Sequence, residues 1–288
     1  VQEFQFGMNW SEYSRFVGDI FGAPLALEAL LAFFLESTFI GLWIFGWDRL
    51  NKRLHLACIW MVAIGTSLSA LFILAANSFM QHPVGFAMNE QTNRAELTSF
   101  ADVFTNVVFL ATFPHQMAAA WVVGGAFVAA VAGWHLHRLN KTLPKPADLN
   151  DVEGMQALAD HAAQVAPYRF AAKFGAIVLI ISGLAVMLTG DFQSKAMYAT
   201  QPMKMSSAEG AFTPTGSFSL LTVGNLEASE EVFGIHVPGL LSFLAYGNFN
   251  DEVPGINDLE AEYQERFTPM LRDRYGDEVA DIFAEKGY

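Results

Sequence analysis

Two carboxylates stand inside an apolar run. Residues 18–36 read GDIFGAPLALEALLAFFLE and carry Glu28 and Glu36 through what reads as a membrane helix. An ionisable side chain within a bilayer costs a few kcal/mol or more, so one that is kept usually has a chemical role. Eight residues apart on a helix, the two lie near one face and about 12 Å apart along the axis. That spacing suits a relay of protons through side chains and waters. Ser37 and Thr38 on the same run, and Thr66, Ser67 and Ser69 on the next, are small hydroxyls that could lengthen the path, with Asp48 at its mouth. The plainer alternative is that both carboxylates only hydrogen-bond neighbouring helices.

A second candidate is His115, which follows Pro114 in another apolar run, more than twenty residues before Arg138. Imidazole binds heme iron well, so an intramembrane histidine can serve as an axial ligand. A hydrogen-bonded core histidine is the other reading. His55, His135, His137 and His161 fall at or near the ends of apolar runs, and His82 and His236 fall in polar loops. His135 and His137, two residues apart, point to different sides of a helix. A third candidate is the run QPMKMSSAE, residues 201–209. There Lys204 and Glu209 offer a donor and an acceptor at the bilayer edge. Such a pair suits a quinol head group, whose hydroxyl needs a partner and whose proton needs a carboxylate. A solvated Lys–Glu pair is the alternative.

The elements that must position these groups follow from composition. The chain has 288 residues, 53% hydrophobic and only 16% charged, with 26 Phe. A soluble domain of this length carries more charge. Apolar runs long enough to span a bilayer are predicted at about 24–45, 54–79, 104–136 and 170–188, so the fold class is all-α, a polytopic helical bundle. Pro24 is placed at the start of the first helix and Pro114 is expected to interrupt the third. Trp43 and Trp47 mark an interface. Arg49, Lys52 and Arg53 fill the first loop and Arg138, Lys141 and Lys145 the third, whereas the second holds only Arg94. The positive-inside rule then places the first and third loops in the cytoplasm. The start of the chain, the second loop and everything after Gly190 face outside. Residues 1–189 form the membrane region and 190–288 an outer, partly ordered loop region. Residues 227–286 hold fourteen acids and four bases, so most of the net charge of −13 belongs there. No basic footprint for nucleic acid is present. The one cysteine, Cys58, leaves no disulfide within the chain. With no Met at Val1 and an amphipathic stretch cut at Tyr288, the chain is expected to be an internal piece of a longer protein.

Several runs together resemble subunit I of the cytochrome bd-type quinol oxidases. They are EFQFGMNWSEYSRFVGDIFGAPLALEALLAFFLESTFIGLWIFGWDRL (Glu3 to Leu50), SALFILAANSFMQHPVGF (Ser69 to Phe86), Phe113-Pro114-His115, GDFQSKAMYATQPMKMSSAE (Gly190 to Glu209) and VFGIHVPGLLSFLAYGNF (Val232 to Phe249). The resemblance implies that His115 is an axial ligand of a low-spin heme b and that Glu28 stands beside heme d. It implies that Glu36, Ser37 and Ser69 lie on a proton route from the cytoplasm entered at Asp48, and that Asn77 is a polar position near the oxygen site. Lys204 and Glu209 match the quinol-binding pair of the outer Q-loop. The run continues SSAE where AAAE is commoner, and both residues stay in place.

The resemblance further implies an electrogenic quinol:oxygen oxidoreductase of a bacterial or archaeal cytoplasmic membrane. Ubiquinol or menaquinol is oxidised outside, O2 is reduced to water with protons from the cytoplasm, and no pumping is needed. The cofactors would be low-spin heme b, high-spin heme b and heme d, or heme b in its place as in cyanide-insensitive relatives. The partners would be membrane lipid and subunit II, with or without a small accessory subunit. The other heme ligands of the family fall before Val1 and after Tyr288, so this stretch alone is not expected to be active. A heme-free proton-conducting subunit is the reading from another class; it would leave His115 and the QPMKM run without a purpose.

Overall fold

The computed structural model describes residues 7–146 and 151–286. Glu3–Phe6 of the first matching run, residues 147–150 of the third loop, and Gly287 and Tyr288 lie outside the described residues. The chain divides into two compact units, residues 1–74 with 110–190 and residues 75–109 with 191–288. In chain order the helices are α1 (Ser11–Phe16), α2 (Gly18–Leu27), a π-helical segment (Glu28–Phe33), α3 (Phe34–Phe45) and α4 (Lys52–Gln81). A hairpin of β1 (Phe86–Asn89) and β2 (Arg94–Leu97) follows, then α5 (Phe100–Phe104), α6 (Val107–Lys141), α7 (Val152–Thr200) and α8 (Pro202–Glu209). A second hairpin, β3 (Phe218–Asn225) with β4 (Glu230–Val237), precedes α9 (Leu240–Tyr246), α10 (Ile256–Tyr275) and α11 (Asp277–Lys286). Both hairpins are antiparallel.

Among the described residues four helices are long and apolar enough to cross a membrane: Gly18–Phe45, Lys52–Gln81, Val107–Lys141 and Val152–Thr200. The first, second and fourth contain the spans read from hydropathy; the third begins at Val107, three residues after the expected start at about 104, because α5 ends at Phe104 and the helix breaks at Thr105 and Asn106. The helices overrun those spans because backbone hydrogen bonding continues into polar sequence that hydropathy counts as loop. The fourth is the largest case, at 49 residues. Two proline readings need correction. Pro24 does not start the first helix; α2 begins six residues earlier, at Gly18, and Pro24 is buried inside it. Pro114 does not interrupt α6, which runs through it. A proline within an apolar helix removes one backbone donor, and the freed carbonyl can be satisfied by local adjustment of the helix. The segment that follows α2, Glu28–Phe33, is π-helical.

In the first unit helices approach closely where side chains are small. On α4, a Cβ added to Gly65 would meet the Ala32 carbonyl oxygen and the Glu36 backbone nitrogen, each at 3.2 Å. On α6 and α7, a Cβ on Gly175 would lie 2.7 Å from the Ala129 nitrogen and 2.9 Å from the Gly125 carbonyl oxygen. Without a hydrophobic drive between helices in lipid, such small-residue seams let backbones touch and gain dispersion energy. The outward faces carry large apolar side chains, with Phe34 70% and Met187 71% exposed, a surface suited to lipid or to further helices.

The second unit has a small core of Tyr198, Leu241, Ala245 and Val253, with Met205 and Phe218 packed against it. Its sequence reads as loop, yet it contains both hairpins and four helices after residue 200. Local polar chemistry builds these pieces. Asn93 and Ser229 take positive φ at the hairpin turns, and Ser99 caps α5 by accepting from the Asp102 N–H. Asn106, only 3% exposed, joins two helix ends. Its Nδ2 donates to the carbonyls of Ser78 and His82, and its Oδ1 accepts from the Val108 N–H at 2.9 Å. One amide thereby serves two carbonyls at the end of one helix, that of Ser78 also accepting from the His82 N–H, and a donor at the start of the next.

The glycine seam gives a direct test. Gly175→Val should lower the thermal unfolding midpoint in detergent by an amount equivalent to about 1–3 kcal/mol, the usual cost of overpacking. Gly183, where an added Cβ meets nothing within 4 Å, should tolerate the same change. Equal loss in both variants would show that the seam is not a close contact.

Candidate functional site

The first polar centre lies on the first span and α4. Glu28 opens the π-helical segment and is 5% exposed. Ser69 Oγ on α4 donates to its Oε1 at 2.7 Å. A buried carboxyl in apolar surroundings needs such a partner, and the paired hydroxyl leaves the other carboxyl oxygen open to a proton, a water or a ligand. A π turn widens the helix locally and is frequent at functional positions. Glu36 is half-buried on α3, against the Gly65 seam. Ser37 is exposed and its hydroxyl donates back to the Phe34 carbonyl at 3.3 Å. Thr66 and Ser67 likewise donate to their own helix, at Val62 and Ala63. Asp48 is exposed in the turn after α3. The structure thus joins Glu28 to Ser69 directly and leaves Glu36, Ser37 and Asp48 spread along the same span. Asn77, half-buried on α4, falls in the second unit.

The second centre is His115 on α6. It is half-buried, and its Nδ1 lies 3.1 Å from Thr189 Oγ1 on α7. Among the described residues its Nε2 has no hydrogen-bond partner. An imidazole with one nitrogen engaged and the other open has the donor chemistry that would suit heme iron. Neighbouring histidines have other occupations. His55 Nε2 donates to the Trp43 carbonyl at 2.8 Å and its ring stacks on Trp43. His161 donates to the Leu139 carbonyl, and His135 stacks on Tyr168. His137 lines a cavity between α6 and α7 with His161 and Arg169. His236, on the second hairpin, contacts Ser219 and Glu231. Among the described residues no three His, Cys, Asp or Glu side chains are grouped to hold a bare metal ion.

The third centre is on α8 in the second unit. Lys204 is exposed and its Nζ donates to Gln81 Oε1 at 2.8 Å, while Gln201 Nε2 donates to the Gln81 carbonyl. Glu209 ends the helix, half-buried, and burial raises its carboxyl above the ordinary value. The two residues form no ion pair among the described residues. Five positions apart on α8, they sit about 7.5 Å apart along its axis and on different sides. The buried Tyr198 hydroxyl, in the core of this unit, has no partner among the described residues. Gln81 and Thr189 were not singled out from sequence. The only signal for either was adjacency: Gln81 ends an apolar run, and Thr189 precedes the Gly190-Asp191 start of a matching run.

Comparison with known proteins follows these features. Residues 1–272 match the family described as cytochrome bd terminal oxidase subunit I. The chain is 44% identical over 270 residues to the cytochrome bd ubiquinol oxidase subunit 1 of Bacillus subtilis (strain 168), covering 92% of this chain and 52% of that protein. It is 39% identical over 265 residues to the cytochrome bd-II ubiquinol oxidase subunit 1 of Escherichia coli (strain K12), covering 91% and 47%. The bd oxidase structure from Geobacillus thermodenitrificans superposes with a TM-score of 0.61 at 26% identity, covering 94% of this chain and 59% of that one. The chain spans about half the length of the curated relatives it matches.

The burial of Glu209 has a stability consequence. A carboxyl whose folded value is raised binds its proton more tightly when folded, so the folded state gains at low pH. Stability is greatest below the ordinary value of 4.5 and is lost as pH rises from there through the raised folded value. Glu209→Gln should remove this slope. Thermal midpoints of parent and variant should match most closely near pH 4, with the variant ahead at neutral pH. A parent whose midpoint rises across that window, relative to the variant, would contradict the assignment.

Proposed function

Because the chain belongs to the cytochrome bd terminal oxidase subunit I family, we propose that it forms the quinol-oxidising half of a quinol:oxygen oxidoreductase in a bacterial or archaeal cytoplasmic membrane. The four apolar helices and the family together make it part of a multi-pass membrane protein. The observation that carries the redox reading is His115, set in an apolar helix with one ring nitrogen engaged and the other open. Heme groups, when bound, supply electron transfer and oxygen reduction. His115 would hold the low-spin heme b, and Glu28 would stand beside heme d, or heme b in its place. A high-spin heme b would complete the set.

The chain's own residues handle quinol and protons. Lys204 spends one of three ammonium hydrogens on Gln81 and has two left to donate to a quinol oxygen. Glu209, with its raised carboxyl, takes a quinol proton at a different edge of the head group and passes it outward. A carboxyl tuned upward gives and takes protons closer to neutral pH. On the cytoplasmic side Asp48 collects protons, Glu36 carries them along the span with Ser37 nearby, and Glu28 holds one with Ser69 as its partner. Asn77 adds a polar side chain to the oxygen-site surroundings. Release outside and uptake inside would build a proton-motive force without pumping. Ubiquinol or menaquinol, O2 and subunit II, with or without an accessory subunit, complete the proposal.

Two measurements on the intact oxidase test it. His115→Ala should abolish the low-spin heme band in a reduced-minus-oxidised spectrum; an unchanged band removes the ligand assignment. Lys204→Ala should lower kcat/KM for quinol about tenfold or more, as expected for loss of one charged hydrogen bond. Oxidation of an artificial donor that does not use the outer loop should be unaffected. Equal loss with both donors would place the defect elsewhere.

A further inference from the structure

Thr189 and Gly190 are the groups of α7 found against the His115 ring. A threonine hydroxyl has a single hydrogen. Thr189 Oγ1 lies 2.7 Å from the Ala185 carbonyl oxygen, four residues back, and 3.4 Å from that of Val186. Both are acceptors only, so the hydroxyl hydrogen is committed to its own helix, the usual arrangement for threonine in a helix. The contact from the same oxygen to His115 Nδ1 at 3.1 Å then requires the hydrogen to sit on Nδ1. A neutral imidazole protonated at Nδ1 carries its lone pair on Nε2, the nitrogen that has no partner among the described residues.

Gly190 fixes the distance. A Cβ at that position would lie 3.2 Å from His115 Cε1 and 3.6 Å from Nδ1, so a side chain there would need the ring to give by a few tenths of an ångström. The glycine lets the edge of the ring rest against α7 while the hydroxyl beside it takes the Nδ1 proton. Ring position and tautomer therefore come from two consecutive residues of one helix.

We infer that Thr189 is a positioning residue for His115, which through its hydroxyl oxygen fixes the Nδ1-protonated tautomer and presents an unprotonated Nε2 as the ligand atom. This rests on the reading of His115 as a heme ligand. A donor–acceptor bond at the far nitrogen of a ligating histidine strengthens it as an electron donor to the metal and favours the oxidised form. Loss of the bond should therefore favour the reduced form.

The test uses Thr189→Val and Thr189→Ser in the intact oxidase, with redox titration of the low-spin heme band as readout. Valine keeps the volume and removes the acceptor; serine keeps the acceptor. The valine variant should raise the reduced-to-oxidised ratio at a fixed potential by up to about tenfold, the upper end of the net contribution of one hydrogen bond. The serine variant should titrate like the parent. If valine instead costs heme occupancy, serine must retain it, because only the hydroxyl distinguishes them in this role. A valine variant with unchanged potential and occupancy overturns the inference, as does a serine variant that behaves like valine. His115→Ala separates the two readings. If that variant keeps the low-spin band, the ligand assignment and this inference fall together. If it loses the band while Thr189→Val matches the parent, only the inference fails.

Discussion

Water is scarce inside an apolar helix pair, so every polar side chain there must find its partner on the chain itself. A buried polar group without a hydrogen bond costs several kcal/mol in such surroundings. The two intramembrane centres obey this constraint in the same way. Glu28 receives the Ser69 hydroxyl from the adjoining helix, and His115 meets the Thr189 hydroxyl from α7. In each case a small hydroxyl on one helix occupies one atom of a reactive group on another and leaves a second atom open. The arrangement satisfies the cost of burial without using up the chemistry.

The close helix approaches serve the same end. Gly65 brings α4 up against the backbone at Ala32 and Glu36, on the helix pair that also carries the Glu28–Ser69 bond. Gly125 and Gly175 hold α6 and α7 together on the pair that carries His115 and Thr189. Hydrogen bonds of 2.7 to 3.1 Å between side chains as short as serine and threonine demand backbones this close. In the second unit the demand is met by longer side chains. The Gln81 amide receives Lys204 and the Asn106 amide ties two helix ends.

Much of the membrane architecture was legible because it rests on composition and length. Four long apolar runs imply four spans, and four long apolar helices cover them, the third starting three residues later than expected. Glu28 and His115 stood out because they are ionisable residues where such residues are rare. What could not be read depends on geometry that residue types do not specify. Pro24 has the same identity at a helix start and inside one; its place is decided by whether residues 18–23 are already helical, which they are. The strands at 86–89 and 94–97 are four residues each, too short for a periodic signal. Thr189 has an apolar helix behind it and a glycine after it, and nothing in its type tells that a histidine 74 positions earlier lies beside it. Lys204 and Glu209 read as a donor and acceptor by residue type, yet α8 turns them to different sides.

The π segment at Glu28–Phe33 also constrains how this helix can vary. A π turn holds one more residue than an α turn in the same hydrogen-bonded loop. Deleting any one residue there would let the coil tighten to ordinary α geometry. The segments on either side, Pro24 and α3 included, would keep nearly the same facing, because the residue lost is the one the wide turn had absorbed. The residue count of this stretch therefore decides whether Glu28 opens a wide turn or an ordinary α turn.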